Sequence, residues 1–306
     1  MDRRTFLVTA VLGIGALKEM GARRLDRLFT SVEYKLAVIR GEDISKNVKA
    51  AVEALGGIGR FVRQGDIVLL KPNVSFPNPP EWGTTTHPVV IETVADLCAG
   101  AGAKRVIVTD FPMSRARMCL QRSGMAELAA STRSFTFVEL KGERHFETVP
   151  VPGGEEVQEL RVARLLRKAD VFINLPTAKA HSATGVSFGL KNLMGLFWER
   201  QPFHQKYDLH NAIVDLASIM PPRLTVLDAT YGLLTNGPQG PGKVDQLNTI
   251  IAGVDPVAVD AEACLLAPWN GRTTDAGNIM HLARAAERGL GELALSPDLV
   301  YRKELG

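Results

Sequence analysis

The chain has 306 residues, of which 45% are apolar and 23% charged, a composition that can bury one large core or two small ones. Its net charge of +3 comes entirely from residues 1–30, because the rest of the chain carries thirty basic and thirty acidic side chains. A neutral body argues against nucleic-acid binding through a basic face, and three scattered cysteines cannot by themselves hold an iron–sulfur cluster or a four-cysteine zinc ion.

The first thirty residues have the pattern of an export leader. Arg3 and Arg4 precede an apolar run over residues 6–17, which is similar to a twin-arginine signal. Twelve helical residues rise about 18 Å against a hydrocarbon core of about 30 Å, so we expect no stable membrane span. The alternative is an ordinary amphipathic helix. The leader interpretation predicts a periplasmic or otherwise exported protein that uses the twin-arginine machinery, tethered if the signal stays uncleaved.

Residues 31–306 are predicted to form a single α/β domain. Helical patterns are predicted to begin near Ser45, at Pro88 and at Pro256, to cover residues 210–220, and to end near Gly289. Apolar runs that are continuous in Val, Ile and Leu alternate with these helices, as in strands covered on both faces. The predicted strands are 35–39, 66–70, 105–109, 136–140, 171–173, 224–227 and 249–252. This alternation predicts a three-layer sandwich with a mainly parallel sheet and helices on both faces.

Polar side chains follow five of the predicted strands. Ligands gather at the carboxyl ends of strands in such folds, so we expect these side chains to share one cleft. They are, in chain order, Lys71 with Asn73, Asp110, Asn174 with Lys179 and His181, Asp228, and Asp255. The densest group continues to Lys191 and Asn192, in a stretch otherwise poor in charge.

Several ordered sequence blocks carry a family resemblance. They are Leu70-Lys71-Pro72-Asn73, Thr86-His87-Pro88, Asn174-Leu175-Pro176 with Lys179-Ala180-His181, Gly189-Leu190-Lys191-Asn192-Leu193-Met194-Gly195, Asp228 with Gly237-Pro238-Gln239-Gly240, and Asp255-Pro256-Val257-Ala258-Val259-Asp260. From about Lys35 to about Leu293 the chain resembles the domain-of-unknown-function 362 family, whose members are uncharacterised α/β proteins. Some members are fused to a ferredoxin-type domain. Because its cysteine blocks are missing here, an iron–sulfur link exists only by family analogy, and no such cluster is expected.

The residue types at these strand ends suit a small anion such as a carboxylate or a phosphate. Lysines supply charge, and a glycine-rich loop lets backbone N–H groups approach a ligand closely. An ordinary turn is the alternative interpretation of that loop, which has no Walker motif. The predicted ligand-binding residues are Lys71, Asn73, Asn174, Lys191, Asn192, Gly237 and Gly240.

Proton transfer is the chemistry that these side chains favour. An imidazole ordinarily titrates near neutrality, and Lys179 or Asp110 could tune that of His181, so these three residues are the predicted catalytic set. A purely structural histidine is the alternative. His87 and Asp228 could converge with His181 and Asp110 on a divalent metal.

Two classes of function stay open at this point. In the first, the protein is an enzyme that moves a proton on a bound anion through His181 or Lys179, as in racemisation, hydrolysis or proton abstraction beside a carbonyl. In the second, it is a non-catalytic binding or cofactor-maturation protein. A purely structural module fits poorly, because buried lysines are costly unless they are paired.

Overall fold

The computed structural model describes residues 34–198 and 200–306, without the side chains of residues 201, 202 and 204. The predicted leader over residues 1–30 lies outside the described residues. The strands are β1 (Leu36–Arg40), β2 (Ile67–Pro72), β3 (Arg105–Val108), β4 (Thr136–Phe137), β5 (Phe146–Pro150), β6 (Glu159–Ala163), β7 (Val171–Leu175), β8 (Thr177–His181), β9 (Gly185–Ser187), β10 (Leu224–Leu233), β11 (Val244–Gly253) and β12 (Val300–Glu304). The helices are α1 (Ile44–Ala54), α2 (Pro88–Gly100), α3 (Ala116–Arg122), α4 (Met125–Ser131), α5 (Arg164–Lys168), α6 (Gly189–Asn192), α7 (Arg200–Lys206), α8 (Leu209–Ile219), α9 (Pro256–Cys264) and α10 (Met280–Glu287).

One mixed sheet carries the fold, and all seven predicted strands belong to it. The strand order is β12-β1-β11-β10-β7-β2-β3-β4, with β8 added beside β10 and β9 beside β8, while β5 and β6 form a separate hairpin. Parallel pairs join β1 to β12, β10 to β7 and β8, β2 to β7 and β3, and β3 to β4. The antiparallel pairs involve β11 and β9. The predicted mainly parallel α/β fold is confirmed.

Two apolar cores lie on opposite faces of this sheet. Along β2, Val68 and Leu70 pack with helices α1 and α2, whereas Leu69 packs with the core that contains α8 and α10. The same alternation occurs on β11, where Ile250 and Ile251 point to different cores. Because successive strand side chains point to opposite faces, a continuous apolar run feeds both cores at once. The three-layer arrangement follows from that pattern.

The predicted helix starts are partly confirmed. Helix α2 begins at Pro88, and α9 begins at Pro256 after Asp255 has accepted hydrogen bonds from two backbone N–H groups of its first turn. Helix α1 differs from the prediction, because its cap is Asp43 rather than Ser45. The Asp43 carboxylate accepts from the Lys46 N–H at 3.0 Å. A carboxylate satisfies this otherwise unpaired donor and also favours the positive end of the helix.

The prediction that Asp255 shares the cleft with the other strand ends is wrong. Strand β11 runs antiparallel to β10, with Gly253 opposite Thr225 near the start of β10. The carboxyl end of β11 therefore lies beside the amino ends of the parallel strands, on the opposite side of the sheet from the carboxyl ends of β2 and β7. Asp255 holds the start of α9 there and also accepts from the Glu292 N–H at 2.9 Å.

Lys179 and His181 lie on a strand, which the sequence pattern did not predict. Strand β7 stops at Pro176, whose missing N–H interrupts a strand ladder, and the chain resumes as β8. The long strand β10 runs beside both, pairing with β7 at Leu224 and with β8 at Asp228. This places the side chains of β8 beyond the end of the central strands. No helix among the described residues is long and apolar enough to cross a membrane.

Candidate anion-binding site

A cavity of about 360 Å³ opens where β2 ends, beside β8, β9 and the turn between them. Among the described residues its lining contains basic side chains but no Asp or Glu. The basic residues are Lys179, His181, Lys191 and Arg200. The remaining lining residues are Asn73, Ser75, Phe76, Met113, Ser182, Ala183, Ser187, Asn192, Met194, Gly195, Pro238 and Gln239. Such a lining favours a negatively charged ligand.

A buried ion pair between Lys71 and Asp110 lies behind this lining. The Lys71 Nζ is 2.9 Å from Asp110 Oδ1 and also donates to the carbonyl of Pro72 and to Asn192 Oδ1. The other carboxylate oxygen of Asp110 accepts from the Val74 N–H at 2.7 Å. Burial lowers the pKa of Lys71, and the charge of Asp110 opposes that shift. Both predicted residues are therefore satisfied within the protein, and neither lines the cavity.

Gly195 allows the cavity wall to approach this ion pair. A Cβ at residue 195 would overlap the Asp110 carboxylate and would lie 2.6 Å from the Lys71 Nζ. Its carbonyl accepts from the Phe111 N–H at 3.0 Å. Only glycine fits here without displacing the pair, which explains the last glycine of the 189–195 block.

Three asparagines form a ladder beside the cavity. Asn73 donates to Asn192 Oδ1 at 2.9 Å, Asn192 donates to Asn174 Oδ1 at 2.8 Å, and Asn174 donates to the Gly189 carbonyl at 2.9 Å. These bonds fix the orientation of each amide, so the Asn73 oxygen faces Lys179. The structure thus brings all three predicted asparagines together, with Asn174 behind the two that line the cavity.

Lys179 is buried but is held by neutral oxygen atoms. Its Nζ donates to Asn73 Oδ1 at 3.0 Å and to the Thr84 carbonyl at 2.8 Å, and lies 5.2 Å from the centre of the Phe76 ring. No described carboxylate forms an ion pair with it. Burial lowers the pKa of Lys179 to about 7, and the positive charge of Lys71 contributes. Two oxygen acceptors and an aromatic face stabilise its ammonium form.

Lys191 has weaker partners than Lys179. Its Nζ lies 3.2 Å from the Met194 sulfur, and none of the described carboxylates lies within ion-pair distance. Burial, assisted by the charge of Arg200, lowers the pKa of Lys191 to about 7. Because a thioether is a poor acceptor, little in this environment favours the ammonium form over the neutral amine.

Asp260 positions the short helix that carries Lys191. From its position on helix α9, the Asp260 carboxylate accepts from the Gly189 N–H at 2.7 Å and from the Leu190 N–H at 2.9 Å. Burial raises the pKa of Asp260 to about 7, against the effect of these two donors. A Cβ on Gly189 would lie 2.7 Å from the Asp260 carboxylate, so glycine permits this contact.

Arg200 supplies a cation that the sequence analysis missed. It donates to the Pro112 carbonyl at 2.9 Å and lies 4.6 Å from the centre of the Phe111 ring. Burial lowers the pKa of Arg200 to about 10, and Asp110 opposes that shift. Arg200 is the first residue of α7 and belongs to no predicted strand or sequence motif. Only its position near Lys191 in three dimensions identifies it as a site residue, and the sequence alone does not show that position.

His181 lines the cavity with one tautomer fixed by the backbone. Its Nδ1 accepts from the N–H groups of Ala183 at 3.1 Å and Thr184 at 3.3 Å. An accepting Nδ1 carries no proton, so the proton of the neutral ring resides on Nε2. His181 is therefore arranged as a hydrogen-bond donor through Nε2 rather than as a proton acceptor.

His87 and Asp228 do not converge with His181 and Asp110 in the structure. The two oxygens of Asp228 accept from the backbone N–H groups of His87 and Thr230, at 2.7 and 2.9 Å. The His87 Nδ1 in turn accepts from the Val89 N–H at 3.2 Å and caps α2. Within residues 34–198 and 200–306, no three His, Cys, Asp or Glu side chains are grouped closely enough to hold a metal ion. The predicted metal set is not assembled here.

The glycine-rich loop borders the cavity through Pro238 and Gln239 rather than through its glycines. A Cβ on Gly237 would overlap the Ala180 carbonyl, so this glycine allows the loop to pack against β8. The Gly240 N–H donates to the Asn236 carbonyl at 3.1 Å, inside the loop. Gly237 and Gly240 thus shape a wall, in agreement with the alternative interpretation as a turn.

Comparison with known proteins gives a family match and one curated relative. The model of the family described as "Domain of unknown function (DUF362)" matches residues 68–265. The chain is 29% identical over 221 residues to the thylakoid-associated protein sll1697 of Synechocystis, an alignment that covers 70% of this chain and 67% of that protein.

Two solved structures align with lower similarity. The lactate racemase apoprotein of Thermoanaerobacterium thermosaccharolyticum gives a TM-score of 0.46 at 14% identity, with 76% of this chain covered. A structural-genomics protein of Thermotoga maritima gives a TM-score of 0.40 at 14% identity, with 73% covered. The chain spans only 57% of either protein's length.

Proposed function

This chain belongs to the DUF362 family, whose description assigns no activity, and we propose from its site that it binds a small carboxylate or phosphate and catalyses proton transfer on it. The observation that carries the proposal is a cavity lined by two buried lysines, an arginine and a histidine, without any described carboxylate. A buried cation without a counter-charge destabilises the empty protein. An anionic ligand would supply that charge.

Lys179 and Arg200 are suited to holding the ligand's negative charge. Both are anchored by backbone carbonyls and an aromatic ring, so their positions are set before the ligand arrives. Preorganised cations stabilise an anion without the cost of reorienting them on binding. Lys71 contributes through Asn192, which it orients with a hydrogen bond.

Lys191 is the better candidate for the group that accepts a proton. Its pKa of about 7 provides amine and ammonium forms together near neutrality, where proton transfer is most efficient. His181 would donate its Nε2–H to an oxygen on which charge develops. This assignment keeps the predicted site but exchanges roles, because the sequence analysis gave proton transfer to His181 and Lys179 and ligand binding to Lys191.

Calorimetry with sodium acetate and sodium sulfate tests the binding part of the proposal. We expect saturable binding to the full chain, with affinity reduced about tenfold or more in Lys179→Met, because a charge-assisted hydrogen bond contributes about 1.5–3 kcal/mol. The matched control is Lys168→Met, which removes an exposed lysine and should leave affinity unchanged. Equal binding by both variants, or no binding by the unmodified chain, would refute the proposal.

Hydrogen exchange on malonate tests the catalytic part. Malonate is an anionic carbon acid, and its methylene hydrogens can be followed by NMR in deuterium oxide. The unmodified chain should accelerate the exchange, and Lys191→Met should lose that acceleration while malonate still binds. Binding without acceleration in either protein would instead support the second candidate, a non-catalytic binding or maturation protein. The two oxygen acceptors of Lys179, which stabilise its ammonium form, are the observation behind that candidate.

Export is proposed on the sequence of residues 1–30 alone. A fusion of residues 1–33 to a folded reporter should be exported through the twin-arginine machinery, and the paired substitution Arg3→Lys with Arg4→Lys should block it. Residues 31–306 would then constitute the single exported α/β domain. A reporter that stays in the cytoplasm with the unmodified segment would exclude this localisation.

A further inference from the structure

We propose that Lys191 forms an imine with small 2-oxo acids, which would make such acids the substrate class of the cavity. The inference rests on the anion-binding function proposed above and adds a covalent step to it. A 2-oxo acid carries a carbonyl group next to its carboxylate, so one small molecule presents both groups within the same cavity.

The position of Lys191 meets the geometric needs of a nucleophile. Its side chain lines the cavity from α6, and Asp260 holds the start of that helix through two backbone N–H groups. The contact of its Nζ with the Met194 sulfur, at 3.2 Å, leaves the nitrogen lone pair uncommitted when the amine is neutral. Oxygen acceptors surround the ammonium groups of Lys71 and Lys179 instead.

The protonation state of Lys191 supports the same role. Burial and the charge of Arg200 lower its pKa to about 7, so about half of its side chains are neutral amines at that pH. An exposed lysine with a pKa of about 10.4 is neutral in fewer than about one molecule in a thousand at the same pH. Only the neutral form attacks a carbonyl carbon.

The other cations fit the other end of the substrate. Lys179 and Arg200 line the same cavity and would hold the carboxylate, which limits the orientations in which the adjacent carbonyl can lie. His181 would donate its Nε2–H to the carbonyl oxygen as negative charge develops there. The soft side chains of Phe76 and Met113 border the remaining space and can accommodate the substituent of the oxo acid.

The covalent step balances without an oxidant or reductant. The Lys191 nitrogen forms a bond to the carbonyl carbon, and the carbonyl oxygen takes up a proton to give a carbinolamine. The C–O bond then breaks, a second proton joins the departing oxygen, and water leaves. The nitrogen loses both of its original protons in the sequence, so amine and ketone give imine and one water molecule.

Borohydride trapping tests the inference on the full chain. The protein is incubated with pyruvate or glyoxylate at neutral pH, treated with sodium borohydride, and mapped by peptide mass spectrometry. We expect one reduced adduct on Lys191, at about tenfold or more the level on the exposed residues Lys104 and Lys168. Equal labelling of Lys191 and these exposed lysines would overturn the inference.

Two variants separate the chemistry from the fold and from anion binding. Lys191→Arg retains a cation but cannot form an imine, so it should still bind acetate and give no adduct at this site. Lys191→Met should also lose the adduct while its thermal unfolding stays cooperative. Acetate binding by the unmodified chain without any adduct refutes the imine alone, whereas the loss of both results refutes the proposed function as well.

Discussion

Two buried charged regions of this molecule are built in opposite ways. Asp215, on helix α8, is fully buried, and its carboxylate accepts from the backbone N–H groups of Glu155, Glu156 and Val157 at 2.8–3.0 Å. Arg288 adds a charged donor at 2.6 Å. Both oxygens of this carboxylate have hydrogen-bond partners inside the protein, and its charge is balanced by Arg288. Asp215 is therefore a structural residue that joins the 153–157 turn to α8.

The cavity lysines show the contrasting arrangement. Lys179 and Lys191 are also buried, with 1% and 7% of their surface exposed, but neither has an opposing charge among the described residues. The difference teaches that burial alone does not indicate function. A buried charge whose partners are complete stabilises the fold, whereas a buried charge without a counter-charge is what we expect of a ligand-binding site.

The largest expected effect comes from breaking the ion pair between Lys71 and Asp110, which is fully partnered and yet lies directly behind the cavity. Asp110→Ala leaves Lys71 buried without its counter-charge and should lower the free energy of unfolding by about 3–5 kcal/mol, measured by urea denaturation. The double variant Lys71→Met with Asp110→Ala removes both charges and should regain most of that loss. A loss below about 1 kcal/mol in Asp110→Ala would show that this pair is not a structural element.

Asp215→Asn is a smaller change to the fully partnered region. The amide keeps the size and one acceptor oxygen but loses the charge that faces Arg288, and an NH₂ group replaces an oxygen that accepts N–H groups. The free energy of unfolding should fall by about 2 kcal/mol, while acetate affinity stays unchanged. An altered acetate affinity with unchanged stability would reverse the distinction between the two regions.

Lys191→Met should stabilise the empty protein by about 1 kcal/mol or more, because it replaces a buried unpaired cation with an apolar side chain of similar length. The gain depends on pH. The pKa of Lys191 is lowered to about 7 in the folded protein. Between about pH 7 and 10, Lys191 is therefore protonated in the unfolded chain but neutral in the folded protein. The stability of the unmodified protein rises with pH over this range, because the unfolded state binds more protons. The advantage of Lys191→Met should therefore be largest below about pH 7 and shrink towards pH 10 in thermal melts.

A pH-independent advantage for Lys191→Met would mean that Lys191 is not desolvated. The control is Lys168→Met, where an exposed lysine is lost and stability should change by less than about 0.5 kcal/mol at every pH.

The sequence predicted the sheet and most of the site, because both depend on local patterns. Apolar runs located seven of the twelve described strands, and the residues after the predicted strands 66–70 and 171–173 include Asn73 and Asn174 of the asparagine ladder. Strand direction could not be predicted in the same way. Nothing in the residues of β11 distinguishes an antiparallel from a parallel neighbour, and Asp255 was therefore assigned to the wrong edge.

Roles within the site also required three dimensions. Lys71 donates to Asn192, which lies 121 residues further along the chain. Lys191 contacts Met194, which lies three residues further along. Only those contacts separate a satisfied lysine from an unsatisfied one. The tautomer of His181 likewise depends on the backbone of a turn that no side-chain pattern specifies.

Calorimetric titration of the full chain with sodium sulfate, across about pH 6–9 and in buffers of different ionisation enthalpy, tests the central claim most directly. Sulfate keeps its charge over this range, so any proton uptake belongs to the protein. Because the pKa values of Lys179 and Lys191 are about 7 in the empty cavity and a bound dianion raises them, we predict proton uptake above about pH 7 and an affinity that falls as pH rises. Absence of binding, or binding with a pH-independent affinity and no proton uptake, would contradict the account.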